Sequence, residues 1–243
     1  MSVVVARAVL ESVFAGERER LLAMVDILES VPPEEARALA RCSAFTRLDA
    51  RDVVLLTPED YEERLLLLLK GRARVYEEGP AGWELTISLV EGGTLVGATG
   101  FTSCRPWGLR IEALEPSLVC GVQRQAFEEL VGRNPMLGMR VACLLGERLI
   151  ETEGRLVDLA RKEVPERLAS QILRLVKGEG LVTPEGYKIP TRYTHQQLAT
   201  MIGANREAVT RAFAKLRSEG GVELRNRRIL VTDSEALRRI AQG

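Results

Sequence analysis

Arg206, Glu207, Thr210 and Arg211 stand at i, i+1, i+4 and i+5. On a helix that spacing puts two guanidiniums, a carboxylate and a hydroxyl on one side. An arginine fork matches the O6 and N7 acceptors of guanine, and a carboxylate accepts from cytosine N4. The set therefore suits readout of a G·C-containing half-site through the major groove. A salt-bridged helix surface uses the same residue types, so the elements beneath them must decide.

The stretch THQQLATMIGANREAVTRAFAKLRSE, residues 194–219, supplies those elements. Leu198 and Ile202 lie one helical turn apart, Gly203 interrupts the run, and Val209, Phe213 and Leu216 form a second apolar stripe. This spacing predicts a helix-turn-helix with a recognition helix over 206–216. Ala199 is small enough for the helices to approach, Gly203 can take the positive φ of a tight turn, and Val209 packs back onto the first helix. Thr194 is the expected N-cap, with Gln197 as its capping-box partner. Gly220-Gly221 then stops the helix, and residues 222–225 and 228–231 around Asn226-Arg227 read as a β-hairpin wing. Asp233 or Ser234 would cap a final helix through Ala241. Around the reading face, Thr194, His195, Gln196, Lys215, Arg225, Arg227 and Arg228 are candidate phosphate contacts.

The formal net charge of zero hides a division. Residues 161–243 hold 16 Lys and Arg against 9 Asp and Glu, a net +7, and residues 1–160 hold 18 against 25, a net −7. A basic C-terminal part on an acidic body is the electrostatic footprint of a nucleic-acid-binding domain with a regulatory partner domain. No stretch approaches the roughly 20 apolar residues of a membrane span, and the N-terminus lacks a basic, apolar and cleavable signal pattern. No membrane role and a cytoplasmic location are expected. Cys42, Cys104, Cys120 and Cys143 are scattered without C-x-x-C spacing, which argues against zinc, linear iron–sulfur and disulfide frameworks. They are read as buried thiols, with Cys104, beside Arg105 and Pro106, kept as a possible redox thiol.

From the start of the chain, residues 1–30 read as a helical extension with apolar Val9, Val13, Leu21, Val25 and Leu28. Pro32-Pro33 resets the chain at a short helix through Ala40. From Phe45 to about Gln125 short β segments alternate with turns, the pattern of a jelly roll. Strands are expected at 53–57, 64–70, 73–77, 85–89, 94–97, 108–113 and 117–122, with turns at 70–72, 79–82 and 91–93. Leu65 to Leu69 are five consecutive leucines, so both faces of that strand should be buried. Beyond Asn134-Pro135 a long helix carries Val141, Leu145, Leu149, Leu156 and Leu159 at spacings suited to a coiled-coil pair, with Thr152 filling the missing position. Residues 161–165 end or bend that helix as a hinge, and a helix over 166–176 and a small hairpin within 178–193 follow.

The fold class is thus α+β: an extension (1–30), a β-roll or double-stranded β-helix domain (31–134), a dimerisation helix and hinge (135–164), and a winged helix-turn-helix domain (165–243). Essentially all of the chain after residue 30 resembles the CRP/FNR family of bacterial transcription regulators. The stretch Ile202-Gly203-Ala204-Asn205-Arg206-Glu207-Ala208-Val209-Thr210-Arg211 is similar to the family's recognition pattern. By that resemblance Arg206 and Arg211 contact guanines and Glu207 a cytosine of a TGTGA-like half-site. Gly71 looks like the glycine turn of the family's β-roll. The resemblance implies a homodimer on double-stranded DNA, with RNA polymerase as a further partner.

The departures concern the effector. Members that bind cyclic AMP carry a glutamate for the ribose just after the glycine matching Gly97, and an arginine for the cyclic phosphate at the next strand. Here those positions hold Ala98 and Trp107. Ala98 offers no acceptor and Trp107 no cation, so an anionic phosphate would be buried unpaired, unless Arg105 or Arg110 substitutes. Cyclic AMP is not the expected ligand. The cysteines do not match the family's iron–sulfur oxygen sensors, and the one histidine, His195, is placed for phosphate contact rather than haem. Cupin-type metalloenzymes need histidine and carboxylate ligands, but this β region has no histidine. With no P-loop or dinucleotide motif, no enzyme activity is expected. Two alternatives stay open: a redox-responsive sensor of the same family working through Cys104, and a β-roll interaction module without specific DNA binding.

Overall fold

The computed structural model of the protein describes residues 3–5, 15–23, 25–56, 63–79, 82–96 and 109–242. The chain forms two compact units, 1–149 and 150–243, and the division falls inside a long helix.

The first unit contains strands β1 (Val3–Val5), β2 (Ala44–Leu48), β3 (Val53–Leu56), β4 (Arg64–Lys70), β5 (Arg72–Glu78), β6 (Glu84–Glu91), β7 (Thr94–Val96), β8 (Leu109–Ala113) and β9 (Ser117–Gln123). They make a sheet ordered β1-β3-β8-β5-β6 and a second ordered β2-β9-β4-β7. Every pairing is antiparallel except β1 with β3. Helices α1 (Ala15–Ala23), α2 (Pro33–Arg41), α3 (Arg124–Arg133) and the first part of α4 (Pro135–Arg161) complete it.

The leucine run on β4 divides its side chains as strand alternation requires. Leu66 and Leu68 enter an aliphatic core with Val54, Val75, Ile111 and Val119. Leu65, Leu67 and Leu69 enter another with Leu22, Ile27, Leu39, Phe127 and Leu137. Full burial of each such side chain contributes about 1.5–3 kcal/mol, so one strand anchors two layers. The β4–β5 turn rests on Gly71, whose φ of +89° and 2.2 Å clearance from Ser117 Oγ to an added Cβ admit no side chain. On β5, Ala73 and Val75 join the aliphatic core, while the alternate Arg74 is buried on the other face. Its guanidinium pairs with Glu112 at 2.6 Å and Glu84 at 2.9 Å, and lies 4.1 Å from the centroid of Tyr76. Burial, and next Glu84, push the Tyr76 phenol up to about 12.

Several expectations change. Val3–Val5 is a strand in register with Val53–Leu55 rather than helix, as three β-branched residues favour. Leu21, Leu22, Val25 and Leu28 belong to the first unit's own core. Strand β2 and helix α3 are additions to the sequence reading. α3 follows β9 without an intervening Gly or Pro, which is why the spacing of Phe127 and Leu130 was masked. Among the described cysteines the buried-thiol reading holds for Cys120 alone, whose thiol burial pushes up to about 12. Cys42 is exposed because it terminates α2, its thiol directed at the Ala38 and Leu39 carbonyls, and Cys143 is exposed on α4. Cys104 lies outside the described residues.

In the second unit α5 (Val164–Glu179) packs against α6 (His195–Ile202), α7 (Arg206–Ser218) and α8 (Ser234–Gln242). A four-stranded sheet, ordered β10-β11-β13-β12, is built from β10 (Leu181–Thr183), β11 (Gly186–Lys188), β12 (Val222–Arg225) and β13 (Arg228–Val231). Pro165 sits in the first turn of α5, and Glu163 and Glu166 form a capping box there, so α4 ends at Arg161 and a new helix starts. Asp158 near the end of α4 receives Lys162 at 2.8 Å and an Arg174 guanidinium from α5. Burial alone would raise this carboxyl, but the bonds from Lys162 and Arg174 outweigh it and hold it below the usual aspartate value. The wing turns at Asn226 and Arg227, both at positive φ, as a two-residue hairpin requires.

Candidate nucleic-acid interface

The site is built upward from a buried carboxylate. Glu179, the last residue of α5, accepts from the Thr191 backbone N–H at 3.3 Å, from the Thr191 hydroxyl, and from the Tyr193 hydroxyl at 2.5 Å. These bonds tie the approach to the helix-turn-helix onto α5. Thr194 follows immediately as N-cap: its hydroxyl accepts from Gln197 N–H at 3.1 Å, and the Gln197 amide oxygen accepts from Thr194 N–H at 3.0 Å. Leu198, Ala199 and Ile202 of α6 and Val209, Phe213 and Leu216 of α7 are buried, as their spacing predicts. Gly203 closes α6 in the left-handed region (φ 60°, ψ 47°), and a Cβ there would stand 3.0 Å from Leu159 Cδ2.

Asn205 then caps the recognition helix, its Oδ1 accepting from Ala208 N–H at 2.7 Å. The sequence reading passed over this cap, although an asparagine just before an acidic first turn is an N-terminal signal. The Glu179 cluster was invisible to it, because no local pattern links residues 179, 191 and 193.

Arg206, Glu207, Thr210 and Arg211 are all exposed on α7. Among the described residues the side chains of Arg206, Glu207 and Arg211 enter no ion pair or hydrogen bond, although Glu207 and Arg211 are four apart and of opposite charge. Elsewhere in the unit arginines are engaged, as in Arg238–Glu235 and Arg174–Asp158. Of the candidate phosphate contacts, Thr194, Gln196, Lys215 and Arg227 are exposed. Arg225 is already committed to Glu223 at 2.8 Å and to Glu185, which raise its pKa further. Arg228 donates through Nε to the Pro190 carbonyl at 2.7 Å. His195 is half-buried, with Nδ1 2.9 Å from Thr210 Oγ1 and its ring 5.5 Å from that of Phe213.

The row proposed for dimerisation is divided. Val141 is buried in the first unit's core and Leu145 packs against it, because the first half of α4 lies on that core through Leu137, Val141 and Leu144. Val141 is therefore largely spent on that core, while Leu145 is half-buried and keeps part of its surface. Leu149, Leu156 and Leu159 are exposed, together with Met136, Met139, Ile150 and Val157 on the same helix.

Gly97, Ala98, Arg105 and Trp107 lie outside the described residues. Arg110, the other candidate cation, alternates with core residues Leu109 and Ile111 and pairs with Glu78 at 2.9 Å. It therefore does not serve the interior of the roll. Among the described residues no cluster of His, Cys, Asp and Glu is suited to a metal, and no helix is long and apolar enough to cross a membrane.

Residues 47–134 match the family model for a cyclic nucleotide-binding domain, and residues 166–240 match that for a Crp-like helix-turn-helix domain. The CRP-like cAMP-activated global transcriptional regulator of Mycobacterium tuberculosis is 24% identical over 224 residues, 92% of this chain and 100% of its own. The global nitrogen regulator of Synechococcus elongatus is 30% identical over 194 residues, 77% of this chain and 85% of its own. A solved structure of a CooA mutant from Carboxydothermus hydrogenoformans superposes with a TM-score of 0.72 at 20% identity, covering 98% of this chain and 100% of that one. That likeness concerns the fold. With the β-roll and the helix-turn-helix each matched in place, and a 30% identical relative spanning most of both, this protein belongs to the CRP/FNR family of transcription regulators.

Proposed function

We propose that this regulator is a homodimer that reads a TGTGA-like palindrome, with Arg206 and Arg211 on guanines, Glu207 on a cytosine and Thr210 beside them. The observation that carries this reading is the exposed, unengaged Arg206–Glu207–Arg211 set on a helix capped by Asn205. Groups held ready in this way lose no internal partner when they meet base edges. The exposed apolar residues of α4, from Met136 to Leu159, support pairing with a second copy, which would set two recognition helices about one DNA turn, ~34 Å, apart. RNA polymerase is the further partner and the cytoplasm the location that this role implies.

Cyclic AMP does not fit as the controlling ligand. The described walls between the sheets are aliphatic, Arg110 is committed to Glu78, and residues 98 and 107 are alanine and tryptophan. An anion entering that space would find no counter-charge on these positions, which leaves Arg105 as the one remaining candidate cation named from the sequence. A calorimetric titration with cyclic AMP should give no heat of binding, and a micromolar isotherm would overturn this part.

The test of the main reading is fluorescence anisotropy with a labelled TGTGA palindrome and a scrambled duplex, at physiological salt and without ligand. Selective binding in the nanomolar range is expected. Equal, weak binding to both duplexes would overturn the assigned half-site.

A further inference from the structure

The only histidine in the sequence, His195, lies where the two helices of the DNA-binding motif meet. Its Nδ1 is 2.9 Å from the Thr210 hydroxyl, and that hydroxyl donates to the Arg206 carbonyl at 2.9 Å. A hydroxyl has one proton to give. With that proton on the carbonyl, the bond to the ring needs Nδ1–H as donor. In the neutral imidazole Nε2 is then a bare acceptor, on the far side of the ring from Thr210.

The surroundings hold the ring in that neutral form. Burial against the motif, and next the Arg206 guanidinium, keep His195 below the ordinary histidine value. Its own helix, HQQLATMI, carries no other titratable group. From the recognition helix the facing groups are Arg206, Thr210 and Phe213. The preceding segment brings exposed Arg192, the Tyr193 hydroxyl, which is committed to Glu179, and Thr194, which is committed to Gln197.

A DNA phosphate approaching Nε2 reverses the balance. The neutral ring presents a lone pair to anionic oxygens, whereas the protonated ring donates a short, charge-assisted hydrogen bond. We propose that DNA binding by this protein takes up protons from solvent, one at His195 for each half-site, so that affinity for DNA rises as pH falls. This rests on the DNA-binding reading above and adds a regulatory property to it. Because the contact is to the backbone, it acts on every sequence alike. Affinity should fall up to about tenfold per pH unit for each half-site. That dependence holds between the free and DNA-bound titration points of His195 and flattens outside them.

A single histidine makes the test direct. Tag-free protein labelled with 13C at histidine gives one side-chain signal, to be titrated alone and with each of the two duplexes. In parallel, anisotropy affinities are measured from about pH 5.5 to 8 for the wild type, His195→Arg and His195→Gln. The expected result is a signal that titrates at higher pH with either duplex present, and a pH slope that both variants lose. An unmoved titration, or a slope that persists in His195→Arg, overturns the inference while leaving the DNA-binding reading intact. Failure to bind any duplex at any pH overturns both, and the anisotropy records that case separately.

Discussion

The two units place their charges in opposite ways. In the first, a guanidinium is buried: Arg74 sits among Glu112, Glu84 and the Tyr76 ring, inside a sheet whose other face carries Ala73, Val75 and Ile111 into an aliphatic core. In the second, a carboxylate is buried: Glu179 gathers donors from Thr191 and Tyr193, while the guanidiniums of Arg206 and Arg211 are left exposed and unengaged. Internal pairing spends charge on holding a shape, and exposed charge is available to a polyanion. The net −7 and +7 of residues 1–160 and 161–243 therefore understate the contrast, because what matters is which charges are already paired.

The largest effect expected from breaking this comparison is on the buried guanidinium. Arg74→Ala leaves Glu112 buried and without its 2.6 Å partner, and loss of one member of a buried pair costs about 3–5 kcal/mol. Urea denaturation followed by a probe in each unit should show the first unit's transition moved to lower urea. Replacing Arg74 and Glu112 together by apolar residues should recover much of the loss. If Arg74→Ala leaves that midpoint in place, the cluster is not holding the sheet.

Glu179→Ala probes the opposite arrangement and is expected to have a smaller effect. It takes one acceptor from the Thr191 and Tyr193 hydroxyls, which can rotate toward others, at a cost of about 1–3 kcal/mol in all. Because Thr194 caps α6 one residue after Tyr193, DNA affinity should fall along with stability. Normal affinity in a folded Glu179→Ala protein would show that the cluster does not position the reading face.

How much of this was legible in the sequence follows from the range of each interaction. The Leu65–Leu69 run, the Thr194–Gln197 box, the Gly203 turn and the Asn226-Arg227 wing are local, and short spacings encode them. Strand β2, residues AFTRL, has no flanking Gly or Pro, and its half-buried pattern shows only once β9 is beside it. The Arg74–Glu112 and Glu179–Tyr193 contacts join residues separated by 38 and 14 positions, and no periodicity announces them. The α4 row shows the same limit: spacing put Val141 and Leu149 on one stripe, but spacing alone cannot say that the first half of that stripe already has a core to cover.

Within the reading face, Glu207→Ala should change recognition without changing stability, since Glu207 is exposed and unengaged. About 1–3 kcal/mol of discrimination should vanish at one position of each half-site, read as relaxed preference in competition against single-base variants of the palindrome. Equal losses on specific and random DNA would show that the carboxylate is not reading a base.

Arg227→Ala carries the smallest expected effect and the sharpest form of the comparison. Three wing arginines look equivalent in sequence, but Arg225 is held by Glu223 and Glu185, and Arg228 by the Pro190 carbonyl. Arg227 stands exposed at the positive-φ tip of the turn. A phosphate contact from Arg227 displaces no internal bond, whereas one from Arg225 must first compete with two carboxylates. Removing Arg227 should therefore weaken the palindrome and the scrambled duplex alike and lower the magnitude of the slope of log affinity against log salt by about one unit. Arg225→Ala should change the slope less, because its charge is shared with Glu223 of the wing and Glu185 of the neighbouring β10–β11 turn. Anisotropy titrations of both variants across a salt series would decide, and a larger slope change for Arg225→Ala would mean that the wing's ion pairs open on DNA.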